Sequence, residues 1–177
     1  MHRKSLSHMK CSIARALEEV GEWWSLLIVR ECTQGSTRFD EFQKELGIAR
    51  NILTVRLERL TELGILERFP LEARANSEGY RLTQKGEELY PVIVSLMHWG
   101  DRWIACGNGP VELVEKGTGE VIQPMAVRSK NGTTLSFHDV QFSRGPGATE
   151  ITDQVIQKRN TKVLALNQTT PKRRKSQ

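Results

Sequence analysis

The chain has little of what an enzyme, a secreted scaffold or a membrane protein needs. Its 177 residues hold three cysteines, Cys11, Cys32 and Cys106, far apart and never in CxxC spacing. That excludes a disulfide framework or a cysteine zinc site and fits a reducing cytoplasm. No apolar run approaches the eighteen or so residues of a membrane span. The basic start, Met1-His2-Arg3-Lys4, has no apolar segment behind it, so no secretory leader is expected. HExxH, GxSxG and glycine-rich phosphate loops are missing, and the four histidines are scattered. His98 and Asp101 share a helix with Trp99 and Trp103, where an interface suits them better than a metal. No metal, no cofactor and no enzymatic activity are expected, and no internal repeat is visible.

Charge is unevenly placed. The net value is +5, yet residues 11–105 carry 12 basic against 15 acidic side chains. The excess comes from Arg3, Lys4 and Lys10 at one end and Lys172, Arg173, Arg174 and Lys175 at the other. Such ends permit attraction to a polyanion without showing that the folded part binds one.

Hydrophobic spacing predicts helices from Ser12 (as cap) to Val20, from Trp24 to about Cys32, from Asp40 to Leu46 and from Arg50 to Gly64. Leu26-Leu27-Ile28-Val29 should be the buried centre, and Gly47 should stop the short third helix. Leu53, Leu57 and Leu60 form one stripe of the fourth. The period then changes: Ile65–Phe69 and Tyr80–Leu82 read as a hairpin around a polar tip. Thr83 should cap a last long helix through Trp103, kinked or split at Pro91.

This order is that of a winged helix-turn-helix, so the expected class is mainly α with a small β part. The helix from Arg50 is then the candidate reading element. A helix N-terminus fits the major groove and favours phosphate. Arg50 can pair with guanine, Asn51 with adenine, and Thr54 and Val55 can touch a thymine methyl. Arg56 lies near the core stripe and can also snorkel to a carboxylate; it is kept among the candidate DNA-binding residues. At the wing tip, Arg74 and Asn76 could reach the minor groove, although Glu72 and Glu78 cancel their surroundings. The run Val92–Trp99 is more apolar than one small domain can cover; a two-fold dimer would bury it, the alternative being burial beneath the segment after residue 106. Cys11, at a helix start beside Lys10 and His8, is either a reactive sensor thiol or a packed one.

These stretches resemble the HxlR family of bacterial transcription regulators. The resemblance runs through CSIARALEEVG at Cys11–Gly21, WSLLIVRE at Trp24–Glu31, Arg38-Phe39 with Phe42, Ile48–Gly64, Ile65–Arg68, Tyr80–Thr83, Gly86, Pro91 and WGDRW at Trp99–Trp103. It implies a homodimer whose terminal helices form the interface, with Ile13, Leu17, Val92, Leu96, Trp99 and Trp103 as interface residues. It also implies double-stranded DNA, as a palindromic operator, for partner, with the Arg50 helix in the major groove. Cys11 occupies the position through which some members sense quinones, aldehydes or oxidants. Trp23 departs from the pattern, which has Lys or Arg there.

Residues 106–150 resemble a zinc-ribbon extension of a subset of the family. Its two knuckles fall at Lys116–Gly119 and Arg128–Gly132, where no cysteine remains, so a metal-free appendage is expected. The expected domains are a basic arm (1–10), the winged unit (11–105), a β-rich extension (106–166) and a disordered basic tail (167–177). Val111, Leu113, Val121, Val127, Leu135 and Phe137 should hold the extension, with a strand or helix over 151–166. The expected function is a cytoplasmic, nucleoid-associated, repressor-like, homodimeric DNA-binding regulator, with room for a small-molecule effector or a redox response. Its rivals are a winged-helix protein-interaction module and a nonspecific nucleic-acid binder acting through its basic ends.

Overall fold

The computed structural model describes residues 5–71 and 77–169. They fall into two compact units, 1–125 and 126–177. The first holds α1 (Ser12–Val20), α2 (Trp23–Thr33), α3 (Phe39–Leu46), α4 (Arg50–Glu62), strands β1 (Leu66–Pro70) and β2 (Glu78–Leu82), α5 (Gln84–Glu87) and α6 (Tyr90–Trp103). The second holds α7 (Glu150–Thr169).

One core joins the helices of the first unit. Ile28 and Val29 of α2, Phe42 of α3, and Leu53, Leu57 and Leu60 of α4 have no exposed surface, and Ile65 and Leu66 bring β1 onto them. The three leucines recur at helical spacing, so one stripe of α4 is committed inward and the opposite face is left to solvent. Glu41 opens α3: its carboxylate accepts from the backbone N–H of Thr37 (2.8 Å) and Arg38 (2.9 Å). That satisfies donors which a helix start leaves unpaired. These N–H groups, Thr37 first, hold the Glu41 carboxyl below the ordinary glutamate range.

Gly47 ends α3 at φ +61°, a left-handed conformation that residues with a Cβ adopt at a cost. It turns the chain so that Ile48 enters the core and α4 starts two residues later. The strands pair antiparallel, Leu66 opposite Leu82 and Pro70 opposite Glu78. At Gly86 the chain passes so close that a Cβ would lie 2.3 Å from the Ile65 carbonyl.

Several expectations need correction. Ser12 is the first helical residue of α1 rather than its cap; Cys11 holds the cap position with extended backbone. The last long helix is split, as its proline predicts, but the break falls at residues 88–89, ahead of Pro91. Thr83 caps only the one-turn α5, accepting from the Gly86 N–H at 3.2 Å, and α6 begins anew with Pro91 in its first turn. A proline costs nothing there, because that N–H has no helical partner in any case.

The extension also differs. Its β content among the described residues is two isolated bridges, Val114 with Val121 and Arg128 with Thr134, at the two expected knuckles. Val111, Val121, Val127 and Phe137 are exposed rather than packed. Backbone bonds close each knuckle instead: Ile122 N–H to Leu113 O (2.9 Å) in the first, Leu135 N–H to Val127 O (2.8 Å) in the second. The segment is too polar to enclose a core of its own. Residues 151–166 are helical, and α7 continues through Thr169, so residues 167–169 belong to the helix and not to a tail. Within the second unit, Asn160 of α7 clasps Phe142, exchanging two 2.8 Å hydrogen bonds with its backbone, and Arg144 pairs with Asp153 at 2.6 Å. No helix among the described residues is long and apolar enough to cross a membrane.

Candidate nucleic-acid interface

The first turn of α4 follows from its neighbours. Gly47 and Ile48 deliver it from α3, and Leu53 and Leu57 pin one side. Arg50, Asn51, Thr54 and Val55 are all exposed on the other. The turn carries no acidic residue. Its N-cap position, Ala49, offers no side-chain cap, so the helix start keeps its positive dipole end open.

Each candidate has a definite setting. The Arg50 guanidinium lies 4.8 Å from the centroid of the Phe39 ring on α3. A cation over an aromatic face is attracted by the ring quadrupole, so this long side chain is partly ordered before any ligand arrives. Thr54 Oγ1 donates to the Arg50 carbonyl at 3.0 Å, leaving its acceptor lone pairs and methyl group available. The Asn51 amide has no hydrogen-bond partner among the described residues. Val55 is 56% exposed among the polar residues of this face, and Ile52, which the spacing argument left out, is a second exposed apolar residue of the same turn region.

Arg56 is placed elsewhere. Its Nε sits 3.1 Å from Glu22 Oε2 at the start of α2, with both side chains largely covered. The structure thus does not bring it together with Arg50, Asn51, Thr54 and Val55. Its charge is engaged by a carboxylate, the snorkelling alternative. Trp23, next to Glu22, is exposed and stands edge-on to Trp24 with ring centroids 6.3 Å apart.

Arg74 and Asn76 lie outside the described residues. Below that tip, the hairpin's own cations are paired: Arg68 with Glu78 at 3.5 Å and Arg81 with Glu67 at 2.6 Å. Cys11 is half-buried at the head of α1, Cys32 half-buried near the end of α2, and Cys106 exposed. Burial first, then the neighbouring Glu31 charge, push the Cys32 thiol up to about 12, so it stays protonated. Ile13, Leu17, Val92, Leu96, Trp99 and Trp103 are between 45% and 72% exposed, an apolar set on α1 and α6 that the isolated chain leaves uncovered.

Sequence reasoning missed two partners of the site, Phe39 under Arg50 and Glu22 against Arg56. Neither has a local signal, because both contacts join different helices. Glu41 did have one: a glutamate at the third position of a helix is half of a capping box.

A short helix, a glycine turn, a helix with a bare polar first turn and an antiparallel hairpin together define a winged helix-turn-helix protein. The chain belongs to the HxlR-like helix-turn-helix family, whose pattern matches residues 19–107, half of its length. An uncharacterised HTH-type transcriptional regulator of Mycobacterium tuberculosis is 39% identical to it over 137 residues, 77% of this chain and 87% of the relative. Among solved structures, the candidate transcription factor PA1607 superposes with a TM-score of 0.74 at 40% identity, covering 80% of this chain and all of its own. A second, PA1374 of Pseudomonas aeruginosa, gives 0.58 at 41% identity over 82% of this chain and 99% of that one. The protein is a winged-helix transcriptional regulator.

Proposed function

We propose that the protein acts as a homodimer that reads a palindromic operator with the first turn of α4 and represses transcription by occupying it. One observation carries the reading: Arg50, Asn51, Thr54 and Val55 stand exposed together directly above a fully buried leucine stripe. A rigid scaffold under adaptable hydrogen-bonding groups is what base readout requires. The uncovered apolar set on α1 and α6 supports the dimer. To read a palindrome, such a dimer has to present its two copies of α4 about one duplex turn apart, roughly 34–36 Å. The site of action is the cytoplasmic nucleoid. Cys11, half-buried at the head of α1 next to that interface, is the point at which an oxidant would alter the dimer.

The test is binding to DNA from upstream of the protein's own gene against a scrambled duplex, over a range of salt. A specific reader keeps a preference of roughly 10³-fold or more at physiological salt. Equal affinity for both duplexes, lost when residues 170–177 are removed, would instead mark a nonspecific binder. No binding to either would leave the fold as a protein-interaction module.

A further inference from the structure

Away from α4, the first unit has an open groove of about 490 Å³ between the end of α2, the 36–37 loop, β2 and the α5–α6 junction. That volume suits a small organic molecule. Leu82 and the protonated thiol of Cys32 give it an apolar floor, and Tyr80 and Tyr90 give it two aromatic walls.

The aliphatic hydroxyls that line it have spent their protons elsewhere. Thr33 Oγ1 donates to the Arg30 carbonyl at 2.7 Å, and Ser36 Oγ donates to Glu31 at 3.3 Å. The Thr37 hydroxyl is turned to Glu41. What these groups present to the groove is acceptor lone pairs.

The charges point the same way. Arg81 also lines the groove, but its charge is met by Glu67, its cross-strand partner, and its guanidinium lies over the Phe69 ring. Arg68 lies over one side of the Tyr80 ring, its charge met by Glu78. Lys85 is turned to Glu19 and the Leu63 carbonyl. Glu87 also lines the groove, and among the described residues its carboxylate has no ion pair. The Tyr90 ring, three residues on, is 42% exposed and covered by no cation.

We propose that this groove binds a small aromatic organic cation, an amine or quaternary ammonium, held between the Glu87 carboxylate and the Tyr90 ring over the floor of Leu82 and Cys32. A carboxylate without an ion pair, hydroxyl acceptors and an open aromatic face complement a cation and disfavour an anion. The groove touches two parts that a regulator must move. The Tyr80 N–H donates to the Thr37 carbonyl at 2.8 Å, tying the wing to the helices, and Tyr90 opens α6. Occupancy therefore bears on the wing and on the dimer helix at once.

Titration calorimetry on the full-length protein without DNA tests this, with benzyltrimethylammonium as the cation and phenylacetate as its anionic counterpart. The expected result is saturable binding of benzyltrimethylammonium and none of phenylacetate. Glu87→Gln and Tyr90→Ala should each weaken it roughly tenfold or more, with Tyr90→Phe close to wild type. Both positions are surface ones, and unchanged melting curves would confirm that the variants are folded. No saturable binding of the cation, equal binding of phenylacetate, or an unaltered Glu87→Gln titration would each overturn the assignment. Because no DNA is present, these outcomes are independent of whether α4 reads an operator.

Discussion

Phe39 and Arg50 sit on successive helices, yet the guanidinium of one stacks 4.8 Å from the ring centroid of the other, so α3 orients the foremost cation of α4. An arginine held in this way loses less side-chain entropy when it meets a base. Replacing Phe39 with Leu keeps an apolar residue against the core and removes the ring. Operator affinity should fall two- to fivefold, the worth of an exposed cation–π contact of about 0.5–1 kcal/mol. In an Arg50→Ala background the same replacement should cost nothing, a coupling that a double-mutant cycle reads directly.

Glu41 makes stability depend on pH in a defined direction. Its carboxyl is held below the ordinary glutamate value of about 4.3 by the N–H groups of Thr37 and Arg38. A carboxyl lowered on folding stabilises the native state above that ordinary value and ceases to do so as pH falls through the lowered one. Glu41→Gln keeps an acceptor oxygen but loses the charge, so it should melt earlier than wild type at pH 7, by the equivalent of about 0.3–1 kcal/mol for an anion at a helix start. The difference should shrink as the pH is brought below 4.

The cysteines should react in a fixed order. Cys106 is exposed, whereas burial and Glu31 push Cys32 up to about 12. The thiolate is the reactive species. Iodoacetamide at pH 8 should label Cys106 in the native protein while Cys32 reacts only after unfolding, as peptide mass mapping over time would show. Comparable native rates for the two would mean that Cys32 is not held as described.

The dimer face has its own test. Leu96 and Trp99 are more than half exposed on α6, and a charge there meets water in a monomer but apolar surface in a dimer. Leu96→Glu should leave the melting profile of the folded chain in place at low concentration, halve the mass seen by light scattering, and abolish tight operator binding. An unchanged mass would move the interface elsewhere.

The helix-turn-helix was legible in the sequence because its determinants are local. The leucine spacing of α4, the glycine after α3 and the proline near the start of α6 each act within a turn or two of chain. The exposed face of α4 followed from that same spacing, as did the uncovered face of α6. Contacts between elements were not legible: Phe39 beneath Arg50, Glu22 against Arg56, and the groove that gathers α2, β2 and α6. The extension was misjudged for a related reason. The resemblance to a zinc ribbon suggests strands, but without enough apolar side chains to bury one another, or a metal to gather the knuckles, Val111, Val121, Val127 and Phe137 stay on the surface.

The central claim is that the first turn of α4 reads base edges, and selection from a random duplex library tests it most directly. Wild type and Asn51→Ala would be carried through the same rounds and sequenced. A two-fold symmetric motif is predicted, with half-sites about one turn apart, and the alanine variant should lose preference at one position in each half-site. A motif identical for both proteins, or no motif for the wild type, would contradict it.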